Sequence, residues 1–279
     1  MPFSPTMARV ISSALGGSRV RDRASRLHYD DAGHGYDGFG LHPDFVALGD
    51  TLSAPLYKRY FRVRSHGAHN IPKTGPAVLA ANHSGTIPID GMMLWADVLR
   101  NTDPPRVPRA VADYFVPSLP VVSTLFARCG VVGGSRGNAR ALLEGGELLM
   151  IFPEGVPGIG KPFSKRYQLQ EWRQGHCELA IRHRSPVVPI GIVGAEEQMP
   201  QLFRIPFFGP VPYIPVTATP VPLPVRYHVY YGEPIPLHEE FYPDQADDPE
   251  VVRHAALRVK AAVQELIDQG CREREGVFR

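Results

Sequence analysis

The stretch Val78-Leu-Ala-Ala-Asn-His-Ser-Gly-Thr-Ile-Pro-Ile-Asp90 decides how the rest of the chain is read. From Ala77 to Ala81 it is apolar without a break and too short for a helix, as in a strand buried on both faces. A glycine-containing loop follows, and Pro88 suits the first turn of a helix running to about Arg100. The strand therefore delivers His83 to a loop, and the helix carries Asp90 in its first turn. A histidine beside a carboxylate is a base with a set tautomer and orientation, which deprotonating an alcohol near neutral pH requires. Alone, such a pair also has a plainer reading, as a buried histidine and a helix-start carboxylate.

Working outward, strands and helices alternate. Strands are expected at Val107–Ala112, Gly130–Val132, Leu148–Phe152 and Val187–Val193, and helices near Pro43–Tyr60, Ser118–Arg128, Gly137–Glu144 and Gln170–Arg182. This pattern predicts an α/β fold with a mostly parallel central sheet flanked by helices. Met199–Val225 holds eight prolines among aromatic and aliphatic residues, so it cannot be a long helix. It reads as an irregular segment packed on the core or as a binding lip that touches membrane. Asp248-Pro249 opens a last helix with one apolar stripe, ending near Gly270. Residues 1–44, with Gly33, Gly35, Gly38 and Gly40, read as a flexible tail, and residues 45–279 as one domain.

Composition narrows the function. The chain has 279 residues, 43% apolar and 21% charged, as in a globular protein, and its net charge of +2 argues against a strongly basic nucleic-acid binder. Positive charge is local: five arginines stand against one aspartate in residues 1–26, and Lys58, Arg59, Arg62 and Arg64 stand without an acid in residues 51–64. Such clusters suit an anionic surface, including a membrane leaflet. Three scattered cysteines suggest a reducing compartment and offer neither a disulfide framework nor a zinc set. No apolar run approaches the ~20 residues of a spanning helix. With no convincing signal-peptide cleavage site, a cytoplasmic protein peripheral on the inner membrane face is expected.

Three further segments complete the picture: Gly130-Val-Val-Gly-Gly-Ser-Arg136, Phe152-Pro-Glu-Gly155 at the end of an apolar strand, and Val188-Pro-Ile190. In this order, with Asn82-His83 and Asp90, they resemble the glycerolipid acyltransferase family, typified by lysophosphatidic acid acyltransferase. The resemblance runs from about Val63 to Pro234 within an acyltransferase domain closed by the helix at 249–269. It implies His83 as general base and Asp90 as the group that holds and charges the imidazole. It also implies acceptor contacts from Asn82, Arg136, Glu154 and Gly155, with no metal and no cofactor beyond an acyl-CoA or acyl carrier protein co-substrate. The implied partners are the membrane surface and a glycerolipid acceptor, without nucleic acid.

Two departures bear on the substrate. Six residues separate His83 from Asp90 where the family usually has four, so the loop must bulge. Val156-Pro157-Gly158 also stands where Thr-Arg-Ser commonly follows Phe-Pro-Glu-Gly. That substitution removes a phosphate-binding arginine and leaves Lys161, Lys165 or Arg166 as substitutes without the guanidinium fork. The bulged form looks more like members that use neutral glycerolipids, so the acceptor is open between phosphorylated and neutral. Two rival readings stand beside this one. Gly133-Gly-Ser135-Arg-Gly137 is a literal Gly-x-Ser-x-Gly, which suits a serine esterase with Asp244 and His254. A lipid-binding member of the family without turnover is the other.

Overall fold

The computed structural model describes residues 4–84, 88–112, 121–206 and 213–279. The chain opens with α1 (Pro5–Ser25) and α2 (Pro43–Pro55), the latter continued by a π-turn over Leu56–Tyr60. Then come β1 (Arg64–His66), β2 (Ala77–Ala81), α3 (Ile89–Asn101), β3 (Pro108–Ala112), α4 (Val122–Arg128), β4 (Val132–Gly133), α5 (Arg136–Glu144) and β5 (Leu148–Ile151). A short α6 (Val156–Ile159), α7 (Gly175–Arg182), β6 (Val187–Val193), β7 (Gln201–Pro206), β8 (Tyr213–Thr217) and β9 (His228–Tyr231) follow. The chain closes with α8 (Leu237–Glu240) and the long α9 (Pro249–Glu273).

Seven strands form one sheet in the order β1-β9-β6-β2-β5-β3-β4. Strands β2 to β6 are mutually parallel, β9 is antiparallel to β6, and β1 is parallel to β9. The expected mostly parallel α/β sheet is therefore present. β2 is central and wholly buried because both faces are covered. Leu79 and Ala81 pack with Met93 and Leu94 of α3 on one side, and Val78 and Ala80 pack with residues of α5, α7 and α9 on the other. This double cover is why the strand reads as continuously apolar rather than alternating.

Four expectations change. The segment 1–44 is not without structure: α1 is capped by Ser4, Arg9 pairs with Asp44 at 2.9 Å, and Asp37 pairs at 2.6 Å with Arg109, which is itself buried. The glycines at 33–40 conceal how Asp37 anchors that segment to the sheet. The helix expected from Gln170 starts at Gly175, since Gln170 and Arg173 spend their backbone N–H groups on Glu154 and Pro153. The Pro-rich segment contains the β7–β8 hairpin, a two-stranded ribbon in which both strands are edges and so tolerate proline. Its residues 207–212 lie outside the described residues, as do residues 118–120 of the expected helix whose remainder is α4. The edge strand β1 and its neighbour β9 were not expected; Ser65 and Tyr231 from them, with Tyr57, donate hydroxyl hydrogen bonds to the buried Asp97 of α3 at 2.5–2.8 Å.

Candidate active site

Register brings the sequence motifs together. Ala80 of β2 lies opposite Ile151 of β5, so three residues further on each chain His83 comes beside Glu154. Both leave the sheet at the carboxyl ends of neighbouring parallel strands, where α/β folds place their ligands. On the other side of β2, Ala81 lies opposite Ile190 of β6. There the Asn82 amide accepts from Ile192 N–H at 2.7 Å and donates to Ile192 C=O at 3.0 Å, extending the ladder through a side chain.

The His83 ring is bound on one nitrogen. Nδ1 lies 2.7 Å from Oδ2 of Asp90, which sits at the start of α3 with its side chain fully buried. The same carboxylate accepts from Ser84 N–H at 2.8 Å and from Gly91 N–H at 2.8 Å. A carboxylate in the first turn of a helix is also favoured by the helix dipole. Nδ1–H donating to Asp90 leaves Nε2 as the basic nitrogen. The ring lies against Phe152, centroids 4.2 Å apart and planes 24° from parallel, so the imidazole is held at its face and at one edge. The wider spacing to Asp90 is thus compatible with contact. The bulge itself, residues 85–87, lies outside the described residues.

Glu154 is buried and turned inward. Its Oε1 accepts from His83 N–H at 3.1 Å and its Oε2 from Gln170 N–H at 2.7 Å. The Lys161 ammonium, also buried, stands 3.5 Å from Glu154 and 3.0 Å from Glu196, which follows β6. Burial, opposed by Lys161, pushes the Glu196 carboxyl up to about 7. Glu154 therefore clamps the backbone of His83, and Lys161 balances two carboxylates. Both side chains lie behind His83 and away from solvent. Gly158 of α6 fits closely here, since a Cβ on it would stand 2.9 Å from the His83 carbonyl and 2.7 Å from the Glu154 Cβ.

Arg136 is not brought into this group. It is the first residue of α5, its side chain is 82% exposed, and it pairs with Glu178 at 3.1 Å. Ser135 is the N-cap of α5, and its hydroxyl accepts from Asn138 N–H at 3.0 Å. Asp244 lies in a 3₁₀ turn and His254 within α9, and among the described residues neither hydrogen-bonds Ser135. The Gly-x-Ser-x-Gly is thus explained as a helix start. Arg173 was missed. It lies in the extended segment before α7, with its guanidinium 3.4 Å from where a Cβ on Gly155 would be, and it has no carboxylate partner among the described residues. No spacing signals it, because it reaches the Phe-Pro-Glu-Gly turn from 18 residues beyond Gly155 (173 − 155). Glu196 could have been suspected from its place just after a parallel strand. Among the described residues no three His, Cys, Asp or Glu side chains gather as a metal-ligand set, and no helix is long and apolar enough to cross a membrane.

A family model described as Acyltransferase matches residues 62–193, which include His83, Asp90, Arg136 and Glu154. An uncharacterised protein of Mycobacterium tuberculosis is 34% identical over 87% of this chain and 71% of its own length. The bovine (Bos taurus) DGAT1/2-independent enzyme synthesizing storage lipids is 30% identical over 73% of this chain and 58% of its own. The crystal structure of the 1-acyl-sn-glycerophosphate acyltransferase PlsC from Thermotoga maritima superposes with a TM-score of 0.59, covering 98% of this chain and 100% of that one at 15% identity. With the Asn-His, Asp and Phe-Pro-Glu-Gly residues gathered at one end of such a sheet and the family model matched across them, the chain belongs to the acyltransferase family.

Proposed function

We propose that the protein transfers a fatty acyl group from an acyl-CoA or acyl carrier protein thioester to a hydroxyl of a membrane glycerolipid, with His83 as general base. The observation that carries this reading is the His83–Asp90 contact of 2.7 Å beside Phe152, with Nε2 as the basic nitrogen. The acceptor hydroxyl gives its proton to Nε2 as its oxygen bonds to the thioester carbonyl carbon. Asp90 steadies the imidazolium so formed. The tetrahedral intermediate then collapses, the C–S bond breaks, and the proton passes from Nε2 to the departing sulfur. An ester and a thiol result, and the imidazole is neutral again. No metal or organic cofactor takes part.

Two features bear on the acceptor's headgroup. The missing Thr-Arg-Ser and the bovine relative's synthesis of storage lipids favour a neutral glycerolipid. Arg173 over Gly155 supplies a guanidinium fork for a phosphorylated one. The test is thiol release from long-chain acyl-CoA by wild type, His83→Ala and Arg173→Ala, with lysophosphatidic acid, monoacylglycerol, diacylglycerol or no acceptor. We expect acceptor-dependent release that His83→Ala abolishes. A KM raised by Arg173→Ala for lysophosphatidic acid alone assigns the phosphate to Arg173. Release indifferent to the acceptor and to His83 would sink the proposal.

A further inference from the structure

The β7–β8 hairpin has two unlike faces. In its register Phe203 pairs with Val216 and Ile205 with Ile214, which puts four apolar side chains on one face. Arg204 pairs with Pro215 and lies over the Tyr213 ring, 5.5 Å from its centroid, on the opposite face. That second face leans on the active site. Gly160 at the end of α6 is so close that a Cβ on it would stand 2.9 Å from the Tyr213 hydroxyl and 3.0 Å from Arg204, and Gln201 donates to the Gly160 carbonyl at 2.9 Å. Two residues earlier, Gly158 abuts the His83 carbonyl. The first face is largely open, with Phe203 56%, Ile205 50% and Ile214 46% exposed and Val216 half-buried. Water-facing aromatic and branched side chains in such a contiguous patch mark an interaction surface.

Charge identifies the occupant. From Gln198 to Gly232 the chain has no acidic residue. The segment after the hairpin runs to the acid-free turn after α2: Tyr60 donates to the Pro222 carbonyl at 2.6 Å and Arg62 to the Pro224 carbonyl at 2.7 Å. Beside them Lys58 and Arg59 are exposed and have no carboxylate partner among the described residues. An apolar face on an acid-free segment, tied to a turn that carries unpaired cations, is complementary to the headgroups and acyl chains of an anionic leaflet.

We infer that the Phe203/Ile205/Ile214 face of the hairpin, together with Lys58 and Arg59, seats the protein on an anionic lipid leaflet, with the active site directly behind the hairpin. This rests on the proposed use of a membrane glycerolipid, and it deepens that reading by naming the contact surface. The test uses the full chain with phosphatidylcholine vesicles, with and without phosphatidylglycerol, followed by co-sedimentation. Phe203→Glu/Ile205→Glu is expected to weaken partitioning about tenfold or more. Lys58→Glu/Arg59→Glu is expected to weaken it only on the anionic vesicles, and to lose that effect in high salt. A Phe203→Trp reporter, read by quenching with brominated lipids, checks insertion without a disruptive change. The inference is overturned if the hairpin variant partitions as wild type does, if binding is lost instead in Val10→Glu/Leu15→Glu on α1, or if light scattering shows the hairpin face joining two copies of the chain. Partitioning needs no turnover, so a protein that binds vesicles through this face yet releases no thiol defeats the proposed function and not this surface.

Discussion

At the scale of the residue, the proposed chemistry rests on which nitrogen of His83 carries the proton. Asp90 fixes this by accepting at Nδ1 while two backbone N–H groups occupy its remaining capacity. An asparagine at 90 would present an amide N–H to either Nδ1 or Ser84 N–H, and the imidazole would turn to the tautomer with its proton on Nε2. Asp90→Asn should therefore lower kcat by about 10²–10⁴ with little change in KM, as measured by thiol release. A loss confined to KM would show that the carboxylate serves binding instead. His83 and Asp90 were legible because a strand, a glycine loop and a proline-led helix leave one place for each. The place of Glu154 at the end of a strand was legible, but its direction was not: its turn to the His83 backbone depends on the β2–β5 register, which no local pattern encodes. Arg173 was illegible for the same kind of reason, its position over Gly155 being set by the backbone bond from Arg173 N–H to the Pro153 carbonyl.

At the scale of the element, two glycines separate the demands of activity from those of stability. Gly191 on β6 lies under α9, where a Cβ would stand 2.8 Å from the Leu266 Cβ and 3.0 Å from the Ile267 backbone nitrogen. Gly158 on α6 lies under the His83 loop. Overpacking a closed contact costs typically ~1–3 kcal/mol and moves the more compliant partner. Gly191→Ala should lower the unfolding free energy by that amount, measured by urea denaturation, with kcat nearly unchanged. Gly158→Ala should do the reverse, because the four-residue α6 yields easily but displaces His83 as it does so. Equal losses of stability in both, with activity intact in Gly158→Ala, would refute the distinction. The elements that sequence alone located, β2, β6 and α9, have long apolar runs or stripes with proline or glycine at their ends. Those it missed have no such signal: β1 is Arg64-Ser-His66, and the prolines of β7 and β8 conceal a ribbon whose strands are both edges.

For the molecule as a whole, buried ionisable groups of opposite sign give its stability two opposed dependences on pH. Burial holds Glu196 at about 7, above its ordinary value near 4.5. A raised pKa stabilises fully below pH 4.5, and that contribution is lost as pH rises through 7. His176 beneath Trp172 and His228 stacked with His66 are both pushed down to about 4, chiefly by burial. Their contribution is present above about 6.5 and lost as pH falls through 4. Protonating His176 would put a charge on a ring whose Nε2 has no partner among the described residues. Each group changes stability by roughly 1.4 kcal/mol per pH unit across its window. Urea denaturation from pH 4 to 8 should therefore show the difference between Glu196→Gln and wild type moving in the variant's favour from pH 4.5 to 7. The difference between His176→Gln and wild type should move against the variant from pH 4 to 6.5. Difference profiles cancel the titrations that variant and wild type share, and they exclude any constant cost of the substitution. Parallel profiles for wild type and Glu196→Gln would mean that Lys161 fully compensates the buried carboxylate. Folding would then neither favour nor disfavour the ionised carboxylate, and the cluster behind His83 would not become less stable as pH rises.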